Sequence, residues 1–428
     1  MQKLVIEKFG PIEKCEVIVK DFLVFTGPQA SGKSTVAKSI FFFNYIKDIF
    51  FQYIMKSYQK KQLFSVHSLE KALINEIRNA FNQAFGEDAG RTKSVLKYTY
   101  DNESVIKIVY KQSEKDGLFV EPIIDKKISE KISRLKDILN SNGLGNTDDI
   151  KHFIYSDMFD NDMEIIYIPA GRSLLTLLSD QIGYMYSMLD DRQKSSMDFC
   201  TQNYLERVLQ IKSYFDRSPA QLLNRQLKTD LNIHDENTMN LVIQKMAEIL
   251  KGEYNNSDGE EMLKISDKES VKLNYASSGQ QEAVWITNML FYYMLGDKKT
   301  YFIIEEPESH LFPEAQKAIT ELISIAKNDR NKVLITTHSP YILGSINNLL
   351  YANKIAGSIG TEKVEDIVPA RMWLSYEVLG AYYLESGKIN NILDSEYQDI
   401  DHEVIDGVST VINEVYEKLA GLGLEEGE

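Results

Sequence analysis

A chain of 428 residues, 43% hydrophobic and 26% charged, has the make-up of a globular protein with enough length for a large core or for two lobes. Its net charge of −15 excludes a protein that coats nucleic acid with its whole surface, because neutralising phosphates takes clustered Lys and Arg; a local basic patch, and so a possible nucleic acid contact, stays open. The two cysteines, Cys15 and Cys200, have neither metal-ligand spacing nor a disulfide framework, which fits a reducing cytoplasm.

The first residues, Met1-Gln2-Lys3-Leu4-Val5-Ile6-Glu7, read as a strand and lack the apolar segment of a signal peptide. Residues 2–9 and 15–19, around Phe9-Gly10-Pro11-Ile12, predict a β-hairpin. Phe22-Leu23-Val24-Phe25 predicts a buried strand, and Val36-Ala37-Lys38-Ser39-Ile40 the opening of a helix. Between them stands Gly27-Pro28-Gln29-Ala30-Ser31-Gly32-Lys33-Ser34-Thr35, which fits the phosphate-loop pattern G-x-x-x-x-G-K-[ST]. Strand, tight loop and helix N-terminus are the context that pattern needs. The loop's N–H groups can point at phosphates, and the helix dipole favours their charge. Lys33 would then reach the β- and γ-phosphates of a nucleotide, and Ser34 would offer its hydroxyl to Mg²⁺.

Residues 36–85 keep helical spacing, with Leu69, Leu73, Ile74, Ile77 and Phe81 on one face. Within them, the apolar stretch 40–51 is broken by Asn44, Lys47 and Asp48 and predicts a buried helix, not a membrane span. Residues 94–111 switch to a period of two and predict a second hairpin; 126–140 predict a short helix. Glu164-Ile165-Ile166-Tyr167-Ile168 predicts another buried strand, leading into the turn Pro169-Ala170-Gly171-Arg172-Ser173. From 174 to about 250 the pattern is helical, interrupted at Ser218-Pro219, without the sustained heptads of a coiled coil. Residues 254–258 predict a loop, followed by short strands near 261–266 and 270–275.

Ala276-Ser277-Ser278-Gly279-Gln280-Gln281-Glu282 then precedes a helix beginning at Ala283. Small hydroxyl residues and a glycine at a helix N-terminus make a second anion-binding corner. The same residues read equally as a serine N-cap with Glu282 as its capping-box acid, and both readings can hold at once. Thr300-Tyr301-Phe302-Ile303-Ile304-Glu305-Glu306 is an apolar strand ending in two carboxylates, and the C-terminal ends of buried parallel strands are where ligands bind. Glu305 would approach Mg²⁺, and Glu306 would orient an attacking water and accept its proton. Lys332-Val333-Leu334-Ile335-Thr336-Thr337-His338 is a further buried strand ending in polar residues. A lone histidine there is more often structural; its place after Glu306 makes His338 a candidate sensor of the γ-phosphate.

The order of 27–35, Ser277-Ser278-Gly279-Gln280, Ile303 to Glu306, Glu308 to Leu311 and His338 resembles the ABC-type ATPases, where these are the Walker A loop, signature, Walker B strand, D-loop and switch histidine. Within that class the chain is most similar to the soluble SMC-like branch. It looks closest to the bacterial "AAA family ATPases" of the OLD type and of the Septu- and PARIS-like antiphage systems. Ile6-Glu7-Lys8-Phe9-Gly10-Pro11-Ile12, the 167–173 segment and Glu305-Glu306-Pro307-Glu308-Ser309-His310-Leu311 carry this narrower likeness. Three positions depart from the usual pattern: Ser278 in place of Gly, Glu305 in place of Asp, and Ala30 in place of a frequent Gly. All three occur in soluble relatives.

The resemblance implies an α/β fold, an ABC-type P-loop lobe with a mixed sheet plus an inserted helical lobe. It divides the chain into 1–173 and 256–355 as the two parts of the ATPase lobe, 174–255 as the helical lobe and 356–428 as a C-terminal helical tail. It implies an ATPase using ATP and Mg²⁺, cytoplasmic and not membrane-bound, with Lys33, Glu306 and His338 catalytic. Residues 27–35 and 277–280 would contact nucleotide, and Ser34 and Glu305 the metal. Head-to-tail homodimers, or higher oligomers of such dimers, follow, because the loop and signature of one chain cannot face one nucleotide. The implied role is a nucleotide-switched sensor or assembly subunit in antiphage defence, controlling a separate nuclease or toxin; the alternative is an SMC-like DNA-repair or DNA-clamping ATPase. The Toprim nuclease that follows the ATPase in the OLD family is not expected. Asp394, Glu396, Asp399 and Asp401 read as a solvated turn before a helix at about 403–420.

Overall fold

The computed structural model describes residues 1–59, 65–113, 117–141, 147–177, 188, 197–229, 235–257, 260–266, 268–296 and 298–425. Among them, strands β1 (Lys3–Phe9) and β2 (Ile12–Ile18) form the first hairpin, and β3 (Phe22–Thr26) leads into helix α1 (Lys33–Gln59). Helix α2 (Val66–Phe85) follows, then β4 (Gly90–Thr99), β5 (Val105–Ser113), β6 (Gly117–Ile124) and α3 (Lys126–Ser141). Next come β7 (Glu164–Ile168), α4 (Phe199–Lys212), α5 (Glu236–Leu250), and a small meander of β8 (Glu253–Ser257), β9 (Glu260–Ser266) and β10 (Glu269–Lys272). The chain closes with α6 (Ser278–Leu295), β11 (Thr300–Glu305), α7 (Pro313–Asn328), β12 (Lys332–Thr336), α8 (Pro340–Ile359), β13 (Leu379–Glu385), β14 (Lys388–Asn391), the two-stranded β15 (Leu393–Asp394) and β16 (Asp399–Ile400), and α9 (His402–Glu425).

The fold is α/β, built on an 11-stranded mixed sheet among the described residues, in the order β6-β5-β4-β1-β2-β14-β13-β3-β12-β11-β7. Strands β13, β3, β12, β11 and β7 run parallel to one another, β2, β1, β4, β5 and β6 pair antiparallel with one another, and β14 joins the two parts, antiparallel to β13 and parallel to β2. The parallel strands are apolar throughout because both faces are covered. Phe22, Val24, Phe302, Ile304, Val333 and Ile335 enter one core; Leu23, Phe25, Tyr301, Ile303 and Leu334 enter the other. Helices α1 and α2 cover the second face with an aromatic cluster in which Phe42 meets Phe81 at 5.2 Å and Phe43 stacks on Tyr98 at 5.2 Å. Helices α5, α6, α7 and α8 cover the first.

This arrangement corrects three expectations and extends a fourth. The helical stretch 174–255 is not a lobe apart where it is described: Tyr204, Val208, Ile211, Met239, Val242 and Met246 share one core with Phe22 and Phe302. The apolar stripes of α4 and α5 find their cover on the sheet-packing helices, so among the described residues they form no core of their own. Residues 178–187, 189–196 and 230–234 of that stretch lie outside the described residues. Nor are residues 356–428 only a helical tail. Their apolar run Leu379-Gly380-Ala381-Tyr382-Tyr383 is β13, paired in register with Phe22 to Thr26 of β3, and so stands at the centre of the sheet. Of the expected loop at 254–258, residues 254–257 belong to the edge strand β8 and residue 258 lies outside the described residues; a third strand, β6, extends the second hairpin.

Candidate nucleotide site

The parallel strands bring their C-terminal ends to one edge, and every strand-end residue singled out in the sequence arrives there. After β3 the chain turns through Gly27, at φ 133°; a Cβ there would lie 2.2 Å from the carbonyl oxygen of Leu384 on β13, so only glycine lets the loop start this close to the neighbouring strand. Pro28, Gln29 and Ala30 are exposed, Ser31, Gly32 and Lys33 are buried, and Ser34 at the start of α1 is exposed beside half-buried Thr35. Ala30 has φ 57°. The loop is thus a cradle that ends on a helix N-terminus. Inside it, Lys33 donates from Nζ to the carbonyls of Gly27 at 2.9 Å and Pro28 at 2.7 Å. Burial lowers the pKa of Lys33, opposed by the carboxylates of Glu306, Glu308 and Glu305 nearby.

Lys33 also reaches across the edge. Its Nζ lies 3.5 Å from His338 Nδ1, and His338 Nε2 lies 3.4 Å from Glu306 Oε1. Lysine, histidine and carboxylate thereby stand in one line across the ends of β3, β12 and β11. The side chain of Glu306 is 37% exposed, so water reaches it. Its backbone is left-handed, at φ 43°, and its N–H donates to the carbonyl of Thr336 at 2.9 Å. A non-glycine residue in that region is costly and clusters at functional sites. Glu305 is buried, accepts from the N–H of Ala170 at 3.3 Å through Oε2, and leaves Oε1 buried without a protein partner. An orphaned carboxylate oxygen at this edge suits a hard cation, and so fits the Mg²⁺ role expected of it with Ser34.

The signature-like corner is built differently from the sequence expectation. Ser277 is the N-cap of α6, but its capping-box partner is Gln280, whose Oε1 accepts from the Ser277 N–H and hydroxyl at 2.9 Å each. Glu282 is turned inward instead, to Arg172 and Ser173. Gln280 is further tied to the carbonyl of Leu250 at 2.7 Å, while Ser277 and Ser278 are exposed. Gly279 is buried against the 305–311 segment, where an added Cβ would lie 2.6 Å from the His310 carbonyl oxygen. The hydrogen bonds of Ser277 and Gln280 run within their own helix and to the end of α5.

Three residues of the site were given no catalytic, nucleotide-binding or metal-binding role in the sequence reading. Glu308 Oε1 accepts from Thr337 Oγ1 at 2.8 Å and from the His338 N–H at 2.7 Å, so it holds the histidine's backbone; burial raises its carboxyl pKa. Arg172 and Glu282 form a buried pair with Nε 3.2 Å from Oε2. The available signal was an arginine in the turn after a strand whose end belongs to this edge. The acidic residues 394–401 form a turn: Asp394 Oδ1 accepts from the N–H groups of Glu396 and Tyr397, and no group of side chains among the described residues could hold a metal ion there.

A phosphate loop on a helix N-terminus, with two strand-end carboxylates and a histidine on the parallel part of a mixed α/β sheet, defines a P-loop ATPase. Residues 1–343 match the AAA ATPase domain family, and the chain belongs to that family. No curated protein matches it. Among solved structures it is similar to an SMC head domain from Thermotoga maritima at 10% identity, over 91% of this chain and 97% of that one, with a TM-score of 0.36. It is also similar to an SMC head bound to the C-terminal winged-helix domain of ScpA, at 12% identity over 92% and 98% with a TM-score of 0.41. A third is an SMC head with an extended coiled coil bound to the C-terminal domain of ScpA derived from Pyrococcus furiosus, at 11% identity over 97% and 100% with a TM-score of 0.39. No helix among the described residues is long and apolar enough to cross a membrane.

Proposed function

We propose that the chain binds ATP with Mg²⁺ at residues 27–35 and hydrolyses it. Lys33 offsets charge on the β- and γ-phosphates, Glu306 orients and deprotonates the attacking water, and His338 senses the γ-phosphate. The observation that carries this reading is the single line of contacts from Lys33 through His338 to Glu306. Ser34 and Glu305 would hold the Mg²⁺, which neutralises phosphate charge when bound. Steady phosphate release from ATP by the purified chain in Mg²⁺, lost on chelation, is the expected result; no release under either condition contradicts the reading.

One chain carries one loop and one signature-like corner, and the exposure of Ser277 and Ser278 leaves that corner open to a second copy. In a head-to-tail homodimer, Ser277 and Gly279 of one chain cap the phosphate held by Lys33 of the other. ATP then draws the pair together and hydrolysis loosens it, which gives a switch its two states. In the finer reading this switch is the sensor or assembly subunit of an antiphage defence system and controls a separate nuclease or toxin. The net charge of −15 supports that role over a DNA clamp. DNA binding that tightens with ATP and weakens with salt would favour the clamp instead.

A further inference from the structure

We infer that Arg172 is a positioning residue that ties the backbone of the Walker B carboxylates to the signature helix. The inference rests on the ATPase reading above. Arg172 opens the short helix Arg172–Leu177 after the turn that follows β7, and is fully buried. Its Nη1 donates to the carbonyls of Pro169 and Glu305, both at 2.6 Å, and its Nη2 to the carbonyl of Glu306 at 3.0 Å. Its Nε donates to the carbonyl of Glu282 at 3.1 Å. The carboxylate of Glu282 in turn accepts from the N–H groups of Arg172 at 3.0 Å and Ser173 at 2.9 Å.

One planar fork therefore grips two consecutive carbonyls, at Glu305 and Glu306, and one helix, α6. Glu306 is the residue whose left-handed backbone needs holding, at φ 43°. A lysine could not replace the fork, since its ammonium makes point contacts without a fixed plane. Glu282 lies on the same helix whose first turn carries Ser277 to Gly279. A shift of that helix on engaging a second chain pulls on Glu282, then on Arg172, and so on the carbonyls that aim Glu306. The residue thus links the corner that serves the partner's nucleotide to the base that serves the chain's own.

Arg172→Lys in the full chain is the test, with Glu282→Gln as the milder variant should the lysine form not fold. The expected result is a fall in kcat of at least ~10-fold, with KM and the affinity for a non-hydrolysable ATP analogue within about 2-fold of the unaltered protein. Because Arg172 acts through Glu306, adding Arg172→Lys or Glu282→Gln to Glu306→Gln should cost no further turnover. Unchanged kcat overturns the inference. So does a parallel loss of affinity and kcat, or losses that add to that of Glu306→Gln, since either marks a merely structural role. Absence of hydrolysis by the unaltered chain would instead overturn the ATPase reading itself, and this inference with it.

Discussion

His338 stands between two residues far apart in the chain: its Nδ1 is 3.5 Å from Lys33 Nζ and its Nε2 is 3.4 Å from Glu306 Oε1. A γ-phosphate entering the cradle would compete for Lys33, whose Nζ is otherwise spent on the carbonyls of Gly27 and Pro28. Lys33→Ala removes the charge that offsets this phosphate, so tight nucleotide binding should be lost. Calorimetry with ATP and Mg²⁺ checks it; unchanged affinity would remove the phosphate loop from the account.

The close approach of Gly279 to the His310 carbonyl predicts a stability cost. A Cβ placed 2.6 Å from a backbone oxygen forces α6 and the 305–311 segment apart. Gly279→Ala should destabilise the fold by about 1–3 kcal/mol, the usual penalty for overpacking. Thermal or denaturant unfolding of the variant measures it, and an unaltered midpoint would contradict the packing described.

Glu308 gives a pH dependence with a definite sign. Burial holds its carboxyl above the ordinary value of 4.5 in the native state, so the native chain keeps this proton to higher pH than the unfolded chain does. Its contribution is fully present below the unfolded pKa and is lost as pH rises through the raised native one. Glu308→Gln removes that loss. The stability of the unaltered protein relative to the variant should therefore fall as pH rises from 4.5; a relative rise would mean the carboxyl pKa is depressed.

The composite site predicts rescue between two inactive proteins. Lys33→Ala and Ser277→Arg should each be inactive alone. In a mixed dimer one site carries both lesions and the other carries neither, so part of the ATPase activity should return on mixing. A mixture that stays inactive after demonstrated subunit exchange would count against the head-to-tail pair.

The strand-end residues were legible because each closes an apolar run with a polar residue: Phe25 before 27–35, Ile304 before Glu305, Ile335 before Thr336. A fully buried parallel strand cannot be mistaken for an amphipathic one, and its end must be where polar chemistry starts. The pairing of β13 with β3 was not legible, since nothing local in 379–385 says which strand it joins. The stripes of α4 and α5 announced burial without naming the surface that buries them, so a lobe of their own was expected. Pro122 masked β6, which tolerates it as the edge strand of the sheet. The pair Arg172 and Glu282 is separated by 110 positions and shows only when β7 and α6 are brought together.

The most direct test of the account is Glu306→Gln, which keeps the shape of the side chain and its hydrogen-bonding reach while removing its basicity. ATP affinity by calorimetry and phosphate release under single-turnover conditions should be measured on the same preparation. The account predicts retained ATP binding with turnover lowered by at least ~10²-fold. Hydrolysis at the unaltered rate would contradict it, because Glu306 would then not be the base.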